Sequence, residues 1–158
     1  MSPGRPRATA TVSVAELSTR WKRSLPGAGR LARRAAKAAL AAAATGPAQV
    51  SLALADDDAV RILNRDYRGK DKPTNVLSFE SGEQPFLGDI VLALETVLSE
   101  AEEQGKAPAD HLTHLVVHGV LHLLGHDHEN ARAAKRMERM EVEVLAGLGV
   151  SDPYEARR

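Results

Sequence analysis

The stretch that most limits how this chain can fold is ADHLTHLVVHGVLHLL, residues 109–124. At 3.6 residues per turn, Leu112, Leu115, Val116, Val117, Val120, Leu121, Leu123 and Leu124 leave no continuous polar face. A helix that is apolar nearly all round is stable only when other elements surround it, so the rest of the chain is expected to be laid about it. Pro108 marks its start. Gly125 supplies a residue at ease in left-handed backbone where the helix has to stop. The same region carries the chemistry, because all six histidines of the chain lie between 111 and 128.

The segments around this helix alternate in type. TATVSVA (9–15) and GPAQVSLALAD (46–56) have the alternation of strands. Residues 29–44 predict a helix carried by alanine propensity. DDDAVRILNRDYRG predicts a short helix with acids in its first turn, closed by Gly69. Two further strands are expected near 75–80 and 88–94, joined by a Gly/Pro loop. ETVLSEAEEQGK then reads as a surface helix. A last helix, about 131–147, turns Ala133, Met137, Met140 and Val144 inward. The expectation is an α+β fold: a small mixed sheet of about four strands packed with several helices, one of them central, buried and bearing the histidines. At 158 residues, with no repeat and no linker, this is one domain, residues 1–158, with 1–8 as a flexible lead.

Composition removes several classes of function. With no cysteine there is neither a disulfide framework nor a thiolate metal site nor a thiol nucleophile. The N-terminus lacks the apolar segment of a secretory signal, and the alanine-rich run near 35–44 is too short and too weakly apolar to span a bilayer. A soluble cytoplasmic protein with no membrane partner is expected. The formal net charge is zero, yet the first forty residues hold nine Lys and Arg against one acid, Glu16. Arg30, Arg33, Arg34 and Lys37 line one side of the predicted helix, as either a solvated face or a track for a polyanion.

His118 and His122 stand one turn apart on one face of the buried helix, close enough to share a cation. After Gly125 the chain can turn back and bring His128 to the same point. Three imidazoles with no fourth protein ligand describe a zinc site with an open position; nickel, copper and iron also suit imidazole. The spacing is that of the metzincin helix, H-E-x-x-H-x-x-G-x-x-H, except that Gly119 stands where the protease has its general base. His114 reads as a supporting or packing residue and His111 as an exposed first-turn residue. His126 either flanks the site or displaces His128.

HGVLHLLGHDH, residues 118–128, resembles the H-G-x-L-H-L-x-G-Y-D-H signature of the YbeY family, bacterial single-strand-specific endoribonucleases of ribosomal RNA maturation. LNRDYRGKDKPTNVLSF (63–79) and LGDIVLA (87–93) match two further blocks of that family, and the likeness runs in order from about residue 47 to 153. It implies that His118, His122 and His128 bind zinc and that Arg68 is needed for activity. One departure is His126, where the family has tyrosine.

The residues are compatible with that chemistry. Arg68, Lys70 and Lys72 put three cations on one loop, and a guanidinium grips phosphate bidentately. The expected reaction is metal-assisted hydrolysis of an RNA phosphodiester, with Arg68 neutralising phosphate charge. Lys70, Lys72 and the Arg30–Arg33–Arg34–Lys37 stripe are candidate phosphate contacts. Trp21, Tyr67, Tyr154, Phe79 and Phe86 are the only aromatics, so stacking on bases has little to draw on and specificity is expected from the ribosomal context. Ribosomal RNA is the expected substrate, with the ribosome or its proteins as partners. Two other readings stand beside this one: a ribosome-assembly RNA-binding factor with a structural metal, and a metzincin-like protease lacking its glutamate.

Overall fold

A computed structural model describes residues 9–127 and 129–155. The elements run β1 (Ala10–Glu16), α1 (Arg20–Ser24), α2 (Ala28–Ala43), β2 (Ala48–Ala55), α3 (Asp57–Arg68), β3 (Val76–Glu83), β4 (Phe86–Ala93), α4 (Leu94–Glu103), α5 (Pro108–Leu123) and α6 (Ala131–Gly147). The sheet order is β1-β2-β4-β3. β1, β2 and β4 are parallel, and β3 returns antiparallel to β4 as an edge strand. This is the α+β architecture expected, with a four-stranded mixed sheet.

Register sorts the side chains onto two faces. Val50, Leu52, Leu54, Ile90 and Leu92 meet α2 and α5 in the main core. Leu77, Val91 and Ala93 form a smaller core with Val60 of α3 on the opposite face. α5 is enclosed as its composition requires: Leu112, Val116, Val117, Val120 and Leu121 have no exposed surface. Full burial of each such side chain contributes roughly 1.5–3 kcal/mol, which anchors this helix firmly in the fold. α2 approaches it with Ala32, Ala35, Ala36 and Ala39, all fully buried; small side chains allow the two backbones to lie close.

The boundaries follow from local chemistry. The Asp56 side chain caps α3 by accepting from the Ala59 N–H at 2.8 Å, and Gly69 closes that helix. α5 stops after Leu123, where Gly125 takes φ +100° and its N–H reaches the His122 carbonyl at 3.0 Å. Helix α1 is absent from the sequence reading. Five residues show too little periodicity to declare themselves, and α1 is fixed by tertiary contact: Trp21 is fully buried and donates its indole N–H to the Ala55 carbonyl at 2.7 Å. Among the described residues no helix is long and apolar enough to cross a membrane. The proposed flexible lead, residues 1–8, lies outside the described residues.

Candidate active site

A cleft of about 350 Å³ opens between the C-terminal end of α3, the loop that follows it, β3 and α5. Asn64, Arg68, Lys70, Lys72, Ser78, His118 and His122 are among the residues lining it. Arg68, Lys70, Lys72, His118 and His122, which the sequence marked as site residues, are therefore gathered into one space. His128, the expected third ligand, lies outside the described residues. Among the described residues no group of three His, Cys, Asp or Glu side chains forms a metal cluster. His126 is half-buried and does not line the cleft.

The cationic wall is built from α3 outward. Asn64 is buried; its side-chain amide donates to the Lys72 carbonyl at 2.9 Å, and its backbone carbonyl accepts the Lys70 N–H at 3.2 Å. These two bonds fold the post-helix loop back on α3 and set Lys70 and Lys72 beside Arg68. The Arg68 guanidinium donates to the Ser78 carbonyl at 2.6 Å and lies 5.5 Å from the centre of the Phe79 ring. Arg68 thus reaches around edge strand β3, held by a backbone acceptor and an aromatic face.

The histidine wall is built from α5 and supported by α6. His118 Nδ1 is hydrogen-bonded to the Glu141 carboxylate, which also accepts from the Tyr154 hydroxyl. His114 Nε2 lies 3.2 Å from that hydroxyl and 3.8 Å from the carboxylate, so it reaches Glu141 through Tyr154. Glu141 has no exposed surface. Burial pushes its carboxyl up, but the His114, His118 and Tyr154 groups around it outweigh burial and hold it down to about 2. The carboxylate is therefore ionised and accepts a hydrogen bond from the His118 Nδ1–H, which puts the ring's lone pair on Nε2. A carboxylate behind one ring nitrogen is the arrangement that orients a histidine for a cation at the other. With His122 on the same face, this donor set fits a divalent ion.

Glu141 and Tyr154 were missed in the sequence. A signal was there: Glu141 falls four residues after Met137 and three before Val144, an acid on the inward stripe of α6. Only a buried partner makes such a position tolerable. His111 is a correction. It is buried rather than exposed, at 3 % accessibility, with Nε2 2.9 Å from Glu100 Oε1, because the start of α5 is covered by α4.

Two glycines allow close approaches at the sheet beside the cleft. A Cβ on Gly119 would sit 3.2 Å from Ile90 and 3.3 Å from the Ser78 hydroxyl, so α5 rests almost directly on the sheet. Position 119 faces packed β-structure and has no room for the glutamate of a protease. Gly88, at φ +150°, lies so close to β3 that a Cβ would come 2.0 Å from the Phe79 carbonyl oxygen.

The basic stripe is placed elsewhere. Arg30 and Arg33 line a separate open groove with Glu16 and Lys22 beside β1, and Arg34 and Lys37 are exposed on the same helix. β1 and β3 are opposite edges of the sheet, three strand spacings or about 14 Å apart. The small stock of aromatics is also better placed than its number suggested. Tyr67 is 72 % exposed and meets Phe79 edge-on at 5.5 Å, next to Arg68.

The profile of the endoribonuclease YbeY family matches residues 18–149. Endoribonuclease YbeY of Rhodospirillum rubrum is 50% identical over 152 residues, covering 85% of this chain and 76% of its own. Endoribonuclease YbeY of Azorhizobium caulinodans is 51% identical over 140 residues, covering 83% and 88%. The solution structure of TM1509 from Thermotoga maritima shares the fold at a TM-score of 0.57 and 24% identity, over 88% of this chain and 92% of that one. With a family profile spanning most of its length and relatives at half identity, this chain belongs to the endoribonuclease YbeY family.

Proposed function

We propose that this chain is a single-domain, zinc-dependent endoribonuclease that cuts single-stranded RNA, ribosomal RNA foremost. His118, His122 and His128 hold the ion and Arg68 binds the scissile phosphate. The observation that carries the reading is that Arg68, His118 and His122, from α3 and α5, line one cleft. Family membership supports the endoribonuclease activity. Other divalent ions that accept imidazole fit the same donors. Ribosomal RNA as substrate makes the ribosome or its proteins the partners and the cytoplasm the place of action.

When bound, the ion supplies Lewis acidity and eases ionisation of a water. The chain's own residues do the rest. Glu141 fixes the His118 tautomer so that the lone pair lies on Nε2. Arg68, pre-set by Ser78 and Phe79, offers a fork of N–H groups to two phosphate oxygens as charge builds on them. Lys70 and Lys72 add cations to the strand's path. Arg30, Arg33, Arg34 and Lys37 engage phosphates of a longer RNA at the far edge of the sheet.

The test is cleavage of an unstructured RNA oligonucleotide by the zinc-loaded protein beside Arg68→Ala, Arg68→Lys and His122→Ala. Each variant is expected to lose at least roughly 100-fold in rate, with lysine failing to replace the planar fork. His122→Ala should also show reduced zinc content by mass spectrometry. Cleavage that persists in all three would assign the activity to a contaminant and overturn the reading.

A further inference from the structure

A nuclease selective for single strands needs a surface that a base can reach only when it is unpaired. We infer that Tyr67 is the stacking platform for an unpaired base next to the phosphate held by Arg68; this rests on the proposed nuclease reading. Tyr67 is the most exposed large hydrophobic side chain of the described residues, at 72 %, on a chain with very few aromatics to spare. Its ring stands edge-on against Phe79 at 5.5 Å, inclined at 63°, which fixes its plane while a face stays open to solvent. Phe79 is half-buried against the smaller core and so is itself anchored. The Arg68 guanidinium lies 5.5 Å from the same Phe79 ring and lines the cleft. Arg68 and the exposed Tyr67 ring therefore meet the same anchored Phe79 ring, and Lys70 and Lys72 line the cleft that Arg68 also lines.

This is the pattern that holds single strands: cations for phosphates, with an open aromatic face for whichever base comes next. A base inside a duplex has both faces covered by its neighbours and cannot use Tyr67 without unstacking. Selection of single strands then follows from access to one ring, with no reading of base identity.

The experiment measures binding of the zinc-loaded protein to an unstructured RNA oligonucleotide carrying 2-aminopurine, and to the same oligonucleotide with an abasic nucleotide. Stacking on Tyr67 should quench 2-aminopurine at one nucleotide position. Tyr67→Ala should abolish that quench and weaken binding roughly 5- to 100-fold, while Tyr67→Phe and Tyr67→Trp retain both. The abasic oligonucleotide should bind wild type less well and Tyr67→Ala no worse. Equal binding by Tyr67→Ala and wild type would overturn the stacking role alone. Loss in Tyr67→Phe equal to that in Tyr67→Ala would overturn it too, in favour of a hydroxyl contact. A wild-type protein that neither binds nor cuts the oligonucleotide would overturn this inference and the nuclease reading together.

Discussion

Glu141 of α6 accepts a hydrogen bond from His118 of α5 with none of its own surface exposed. A charge in that position is tolerated because the groups around it are donors, and it ties the candidate metal ligand to the interior of the protein.

Replacing Glu141 by glutamine keeps the shape and removes the charge. Zinc affinity should fall roughly 10- to 100-fold, read by competition with a chromophoric chelator. Glu141→Ala should in addition destabilise the fold by about 1–3 kcal/mol, because the donors it serves are left without an acceptor; urea unfolding measures this. Unchanged zinc affinity in Glu141→Gln would remove this carboxylate from the metal site.

Gly88→Ala should destabilise the protein by about 3 kcal/mol or more. The added carbon has no place to go against the Phe79 carbonyl, and a φ of +150° is closed to alanine. The displaced strand carries Ser78, which holds Arg68, so RNA cleavage should fall with stability. Thermal melting beside the rate assay checks both.

His111 gives the fold a pH dependence whose sign can be worked out. Burial lowers its pKa below the ordinary value of 6.5, and the Glu100 contact opposes this without reversing it. Its Nδ1 is buried with no hydrogen-bond partner among the described residues, so a second proton would be enclosed unbonded. Above pH 6.5 the ring is neutral folded or unfolded. Below 6.5 the unfolded chain takes up the proton and the folded one resists. Stability is therefore full above about 6.5 and falls as pH drops toward the folded pKa. His111→Gln, which still offers Glu100 a donor, should flatten the pH 5–7 part of a denaturation series.

Reversing Arg30 and Arg33 to glutamate should leave cleavage of a short oligonucleotide unchanged, since both residues lie at the β1 edge and the cleft lies at β3. Binding of a long RNA should weaken and lose salt sensitivity, with a slope smaller by up to about 2. A titration of affinity against salt for both lengths decides it.

Periodicity carried most of the architecture. Alternation placed β1 and β2, the Gly/Pro loop marked the turn between β3 and β4, and the all-round apolar pattern of α5 announced its burial. Histidine spacing placed His118 and His122 together, and the cations after α3 were legible as neighbours. What escaped was set by contacts between distant segments. Helix α1 exists because Trp21 finds the Ala55 carbonyl. His111 is buried because α4 folds over the start of α5. Glu141 and Tyr154 belong to the site through bonds to His118 and His114 that no local pattern encodes. The aromatic count undervalued Tyr67, because abundance says nothing of placement.

Gly119 has a further consequence for how the site keeps its aim. With no side chain there, α5 is seated on Ile90 and Ser78 with less clearance than a methyl group needs. A rod pressed that closely against a corrugated surface cannot roll about its long axis, so the two imidazoles are keyed to the sheet and their bearing survives whatever the loops around them do.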